Sequence, residues 1–461
     1  MKNNKYNIRS IGKVLINITC LSIGILYVSI SIYFSKHFYF KTYINGLDVS
    51  LKSYSEVQDI IEEKIKDYKI NILARNDKME MISTKDIKLN INKVDVKYIK
   101  NKQNSFLWGK SLIKESNYII SNLINIDEES FQSKVDSLGI FNENIVEPKS
   151  VEFTYVNKEY RLESEVYGNK LDKEKSKNMI NQAIKLGLKE IDLDKLNCYE
   201  SPKYTVNSEK TKETLDNLNK YVSTKIIYLF EENEEELDGD TINEWITVND
   251  NLDINIDENK IKNYVKYLSG KYNTIGVKRN FKTSLGKVIE ISGGYYGWKI
   301  NLVAEEKMLT ENIKIGAKLK KEPVYSQKAL QRGESDIGDT YVEINLKNQY
   351  LWFYKDGKVI AEGDIVTGDI LKGRGTKTGV YMLNYKQENA ILRGENYESK
   401  VTYWMPFNGN IGIHDASWRY SFGGEIYKGN GSHGCVNAPN YLAKTIFKNI
   451  EEGIPIICYS E

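Results

Sequence analysis

Only four cysteines and three histidines occur in the 461 residues, yet one of each stands in "GSHGCVNAP", Gly431 to Pro439. A thiolate attacks carbonyl carbon well, but a free cysteine at neutral pH is mostly thiol. An imidazole within reach can take its proton and make it competent. Two imidazoles are candidates. His433 is two residues before Cys435, and on a strand such positions share a face. His414, in "IGIHDASWR", is further off, but the glycine-rich "FGGEIYKGNG" between them can fold it back. Gly434 lets a ligand approach the backbone closely. The amides of Gly434 and Cys435 are then placed to donate to a developing oxyanion, an effect worth about 3 kcal/mol. The same residue types fit other readings. Buried cysteine often serves as a small hydrophobe. His433, Cys435, His414 and a carboxylate such as Asp415 would make up the about four ligands of a structural zinc site. Spacing alone leaves nucleophile, metal site and filler open.

The elements around these residues read as short strands. In "TYVEINL", Val342, Ile344 and Leu346 alternate with Glu343 and Asn345, the period of a strand. "YLWFY" and "VIAEGDIV" flank "KDGK", where Asp356-Gly357 signals a tight hairpin. "TGVYML" continues the pattern. Residues 339–461 are therefore predicted to form a mostly β, sandwich-like domain.

Upstream, residues 42–330 read as two copies of an α+β module, 42–205 and 206–330. Both carry Tyr-Gly-x-Lys before an aliphatic residue and Asp or Asn, as Tyr167 to Asp172 and Tyr296 to Asn301. Asp172 and Asn301 are predicted helix caps, with Ile180, Ala183 and Ile184 on one face and Gly187 as a stop. Ser53 and Glu56 form a capping-box pair ahead of Val57, Ile60, Ile61 and Ile65. In "LDINIDENKIKNYVKYLSG", Ile261, Tyr264, Val265 and Leu268 share a face and Gly270 is read as the stop. "EENEEELDGD" (231–240) reads as a solvated loop and residues 320–339 as a linker. These modules are spacers or wall-binding elements, and their short phrases resemble the repeats thought to bind peptidoglycan in anchored cell-wall enzymes.

At the N-terminus, Lys2, Lys5, Arg9 and Lys13 precede an uncharged stretch from Val14 to Phe34. About 20 apolar residues in a helix cross a bilayer. Positive charge before the span places residues 1–13 in the cytoplasm and the rest outside. A cleaved signal peptide is the rival, but no small-residue cleavage site precedes "HFYF". Cys20 lies within the span. The three remaining cysteines are an odd number, which excludes a dense disulfide framework, and Cys435 is expected to be free. The net charge of +2, with scattered basic residues, gives no reason to expect nucleic acid.

"VEINLKNQYLWFYKDGKVI", "VTGD", "TKTGVYML", "YWMPF", "GIHDASWR", "FGG" and "SHGCVN" occur in this order across 339–461. Together they resemble the YkuD-type catalytic domain of the L,D-transpeptidases. One departure is Lys377, where the family often has proline. The resemblance implies that Cys435 is the nucleophile and His414 the general base, with His414 oriented through its other ring nitrogen by a backbone carbonyl near Asp415. It implies that Ser432, His433 and Gly434 shape the pocket and oxyanion site, and that Asn437 holds the loop. Tyr403, Trp404 and Trp418 are candidate cleft residues or core aromatics. The implied partners are donor and acceptor tetrapeptide stems of peptidoglycan, joined through a thioester into 3→3 crosslinks, with water as an alternative acceptor and carbapenems as acylating inhibitors. No cofactor and no metal are implied. A sortase-like enzyme, which would need an arginine near the thiol (Arg419 being remote in sequence), and a non-enzymatic wall-binding scaffold are the alternatives.

Overall fold

The computed structural model describes all residues except 1–3, 92, 121–123, 334 and 395–396. The chain divides into two compact units, 1–152 with 163–208, and 153–162 with 209–461.

The first unit begins with a helix, Asn4–Lys36, whose residues from Ser10 onward are long and apolar enough to cross a membrane. Leu15, Leu21 and Ile25 lie exposed on it. The helix Tyr54–Lys66 starts with the expected reciprocal cap. Glu56 N donates to Ser53 Oγ at 3.3 Å and Ser53 N donates to Glu56 Oε2 at 2.6 Å. Helix Lys173–Lys185 is capped by Asp172 and buries Ile180, Ala183 and Ile184. Gly187 follows it at φ +68, a conformation that favours glycine.

In the second unit the helices Glu209–Val222, Glu258–Tyr272 and Leu302–Ile315 bury one stripe each. They share a core with Ile226, Tyr228 and Phe230 of the strand Lys225–Phe230. Three sequence expectations change here. Gly270 does not stop its helix, which continues to Tyr272. Burial of Ile261, Val265 and Leu268 outweighs the roughly 1 kcal/mol that a helical glycine costs. The acidic stretch is not a loop. Asn233–Leu237 pairs antiparallel with Lys225–Phe230, and Gly239–Asn243 is helical. Its glutamates face Lys225 and Lys320 of neighbouring strands and Lys271 of the helix Glu258–Tyr272, which balance the charge. Nor is 320–339 a free linker. Tyr325–Gln327 pairs with Lys299–Ile300, and Asp336 makes a buried, forked ion pair with Arg279 (Nε–Oδ1 2.7 Å, Nη2–Oδ2 2.8 Å).

The strands after residue 339 are labelled β1 (Tyr341–Asn345), β2 (Tyr350–Lys355), β3 (Lys358–Asp364), β4 (Gly379–Met382), β5 (Gln387–Gly394), β6 (Tyr397–Asn408), β7 (Ile411–Asp415), β8 (Val436–Ala438) and β9 (Pro455–Tyr459). They form two sheets, β3-β2-β1-β9-β4 and β5-β6-β7-β8. The pairs β1–β9 and β7–β8 are parallel. The inner core joins Val342, Ile344, Leu351 and Phe353 to Met405, Phe407, Ile413 and Val436, with Leu442 and Ile446 of the helix Asn440–Asn449. The first sheet is also covered on its other face. Ile456 and Cys458 enter the inner core, whereas Ile457 and Tyr459 pack with Phe281, Ile291 and Trp298 of the preceding module. That double burial explains why β9 reads "PIICY" without polar alternation. Glu343 locks the contact. Its fully buried carboxylate accepts from Ser284 N (2.9 Å), Ser284 Oγ (2.6 Å) and Tyr459 Oη (2.6 Å).

Candidate active site

The second sheet builds the site. β7 lies between β6 and β8, and the register sets Trp404, His414 and Asn437 side by side. Cys435 is the residue immediately before β8. Parallel pairing of β7 with β8 therefore brings the thiol to the same cavity as a histidine far from it in sequence.

His414 is 3% exposed and Cys435 9%. His414 Nδ1 lies 2.9 Å from the carbonyl oxygen of Asp415. A carbonyl only accepts, so Nδ1 carries the proton and Nε2 keeps its lone pair. The rings of Trp404 and Trp418 stand 5.9 Å from the imidazole on centroids. Burial holds His414 below the usual imidazole value. Burial also pushes the Cys435 thiol up to about 11. Both effects favour the neutral forms, thiol and imidazole. Cys435 Sγ points to Asn410 O at 3.6 Å. All four cysteines are unpaired.

The turn before Cys435 is tightly held. Ser432 Oγ donates to Cys435 O at 2.5 Å and accepts from Gly434 N at 3.0 Å. Thr376 Oγ1 donates to Gly434 O at 2.7 Å and accepts from Gly368 N at 3.1 Å. The φ of Gly434 is +123, and a Cβ there would lie 3.1 Å from Ile411 Cδ1. This departs from the sequence expectation in two ways. The Gly434 amide is already engaged by Ser432, so it is not a ready oxyanion donor. And 432–435 is a turn, not a strand, so strand alternation does not relate His433 to Cys435, although both line one cavity. His433 is exposed and contacts Arg374 through Nε2. Burial, then the charges of Arg374 and Lys372, hold His433 below its usual value.

Asp415 is buried, and its Oδ1 accepts from Thr402 N (2.7 Å) and Tyr403 N (2.8 Å). Its side chain thus ties β7 to β6 while its backbone carbonyl holds the His414 ring. A cavity of about 230 Å³ is lined by His414, Cys435, Ser432, His433, Asn437 and Trp418. Tyr403 is not part of it. The side-chain alternation of β6 turns Tyr403 inward, where it packs on Phe447 at 5.2 Å in the sandwich core. Trp404 lies behind the pair, clustered with Cys435, Ala390 and Val401, and does not line the cavity. Arg419 does line it. Sequence distance made this residue look remote, but the turn after β7 (Arg419 N to Ala416 O, 3.0 Å) returns it to the site. Among the described residues no group of three or more metal-ligating side chains converges.

Residues 339–458 match the family model described as the YkuD L,D-transpeptidase catalytic domain. Residues 204–320 match one described as "Putative peptidoglycan binding domain". A cysteine-to-serine mutant of Enterococcus faecium L,D-transpeptidase is 34% identical over 54% of this chain and 100% of its own, with a TM-score of 0.44. The carbamoyl enzyme of Ldtfm with avibactam is 35% identical over 54% of this chain and 99% of its own, also with a TM-score of 0.44. The catalytic domain of the Enterococcus faecium enzyme acylated by ertapenem is 44% identical over 26% of this chain and 97% of its own, with a TM-score of 0.25. A comparison with curated proteins returned no match. Shared sequence over the full length of these relatives, rather than superposition, places the chain in the L,D-transpeptidase family.

Proposed function

We propose that the protein is a membrane-anchored L,D-transpeptidase in which Cys435 is the nucleophile and His414 the general base. One observation carries this reading: a buried thiol and a buried imidazole open into the same cavity, and the imidazole's Nδ1 bond to Asp415 O leaves Nε2 free to accept a proton. In the first half-reaction the Cys435 sulfur attacks the carbonyl carbon of the third stem residue, a diamino acid. His414 Nε2 takes the thiol proton and passes it to the leaving amine. The C–N bond to D-alanine breaks and a thioester remains. In the second, the side-chain amine of another stem's third residue attacks, and His414 takes its proton. The C–S bond breaks, the thiolate is reprotonated, and a 3→3 crosslink has formed. Attack by water gives a tripeptide stem instead. With the Gly434 amide occupied, the Cys435 amide is the oxyanion donor of the two. Ser432 and Thr376 hold the turn that presents it. His433, Asn437 and Trp418 border the donor stem, and Asp415 keeps His414 oriented.

Residues 14–34 anchor the chain, with 1–13 cytoplasmic and the remainder facing the wall. The apolar helix, the basic residues before it and the wall-directed domains after it support that topology. Residues 42–205 and 206–330 act as wall-facing modules that carry the domain at 339–461. The ertapenem and avibactam adducts of the relatives support acylation of Cys435 by carbapenems and related inhibitors. The test is incubation of the full chain in detergent with disaccharide-tetrapeptide and mass spectrometry of the products. D-alanine release and a crosslinked dimer are expected, both lost in Cys435→Ala. Turnover persisting in that variant sinks the mechanism.

A further inference from the structure

Two of the residues lining the Cys435 cavity carry buried polar atoms that no protein group satisfies: Arg419 Nε and Asn437 Oδ1. Such atoms are uncommon in folded proteins and ask for a partner. Arg419 is the sharper case. Its guanidinium stays charged, yet it makes no ion pair among the described residues. No aspartate or glutamate lines the cavity. The one buried carboxylate close by in sequence, Asp415, spends Oδ1 on the Thr402 and Tyr403 amides. Burial holds Arg419 below the usual guanidinium value, with no opposing charge to restore it. A planar fork of donors, partly desolvated and unpaired, fits a carboxylate.

The chemistry of the proposed reaction, on which this inference rests, supplies one at the right place. The residue expelled from a tetrapeptide stem is C-terminal, so its free carboxylate is separated from the scissile nitrogen by a single carbon. A pentapeptide stem has a neutral amide at that position. We propose that Arg419 binds the carboxylate of the departing D-amino acid and so selects tetrapeptide over pentapeptide donor stems. The side-chain amide of Asn437, on the same wall as Cys435, takes a peptide group of the same stem.

The experiment compares disaccharide-tetrapeptide with its C-terminal carboxamide, a neutral isostere, using the full chain in detergent. The ratio of kcat/KM for acid over amide is measured for the wild-type protein, Arg419→Gln and Arg419→Lys. A charge-assisted pair lost to the amide is expected to make the wild-type ratio about ten to a hundred. The ratio falls to within about twofold of one in Arg419→Gln, and Arg419→Lys retains part of it as a point charge without the fork. A wild-type ratio near one overturns the inference while leaving the transpeptidase reading intact. So does a ratio that survives in Arg419→Gln. Should Arg419→Gln fail to fold, the wild-type and Arg419→Lys ratios still decide. Absence of wild-type turnover on either stem overturns both readings together.

Discussion

The preference for the neutral forms makes a strong prediction about thiol reactivity. Burial moves Cys435 from the ordinary thiol value of 9.0 to about 11. Each unit of pKa corresponds to about 1.4 kcal/mol, so ionising this thiol costs on the order of 3 kcal/mol more than ionising an exposed one. At pH 7.5 its thiolate fraction is lower by a factor of about 100. The perturbation is pH, and the assay is alkylation of Cys435 by iodoacetamide, followed by peptide mass spectrometry between pH 7 and 10. Alkylation is expected to rise about tenfold per pH unit across that whole range, because the thiolate is the reacting form. Restricted access lowers every rate but leaves the slope. Acylation by the tetrapeptide behaves differently. There His414 takes the proton, and its depressed value keeps it neutral from about pH 7 upward. The acylation rate is therefore expected to stay flat while alkylation climbs. An alkylation rate that levels off below pH 8 means a preformed thiolate–imidazolium pair and refutes the reasoning.

Three further outcomes follow from the same packing. The depressed value of His414 means the folded state resists protonation there, so the stability it contributes is present above about pH 6.5 and lost as the pH falls; thermal melting of the wild type is expected to drop more between pH 7 and 5 than that of His414→Gln. Gly434→Ala places a Cβ at φ +123 and 3.1 Å from Ile411; it is expected to cost about 1–3 kcal/mol and to slow acylation, both read from denaturant melts and carbapenem adduct formation. Glu343→Ala strands the Ser284 and Tyr459 donors in a buried site; a loss of about 3 kcal/mol or more in the unfolding of residues 209–461 is expected, against none if that contact is loose.

Much of the candidate site could be proposed from the sequence because its signal is local and chemical. A cysteine after glycine, a histidine before aspartate, and strands of period two around them each leave marks within a few residues. The parallel pairing of β7 and β8 is the long-range fact that brings them to one cavity, and the glycine-rich stretch between them and the family's ordered phrases hinted at it. What escaped was set by geometry. Whether Tyr403 or Trp404 faces the core depends on strand alternation, and a one-residue difference reverses the answer. Arg419 looked distant because the turn at Ala416 is invisible in composition. The engaged amide of Gly434 follows from a serine hydroxyl two residues away, and nothing in "SHGC" says which group that hydroxyl takes. In the upstream module, "EENEEELDGD" read as a loop because its charge hides a strand whose partners are the lysines of its neighbours. Gly270 read as a stop because its local cost is visible and the burial that offsets it is not.

The central claim is that one thiol, Cys435, becomes acylated with His414 as its base. Intact-mass and peptide mass spectrometry of the full chain, quenched in acid during turnover of disaccharide-tetrapeptide, test it directly. The expected result is a single tripeptide-stem thioester on the peptide containing Cys435, released by neutral hydroxylamine, and absent in both Cys435→Ala and His414→Ala. An adduct on another residue, or an undiminished thioester in His414→Ala, contradicts the account.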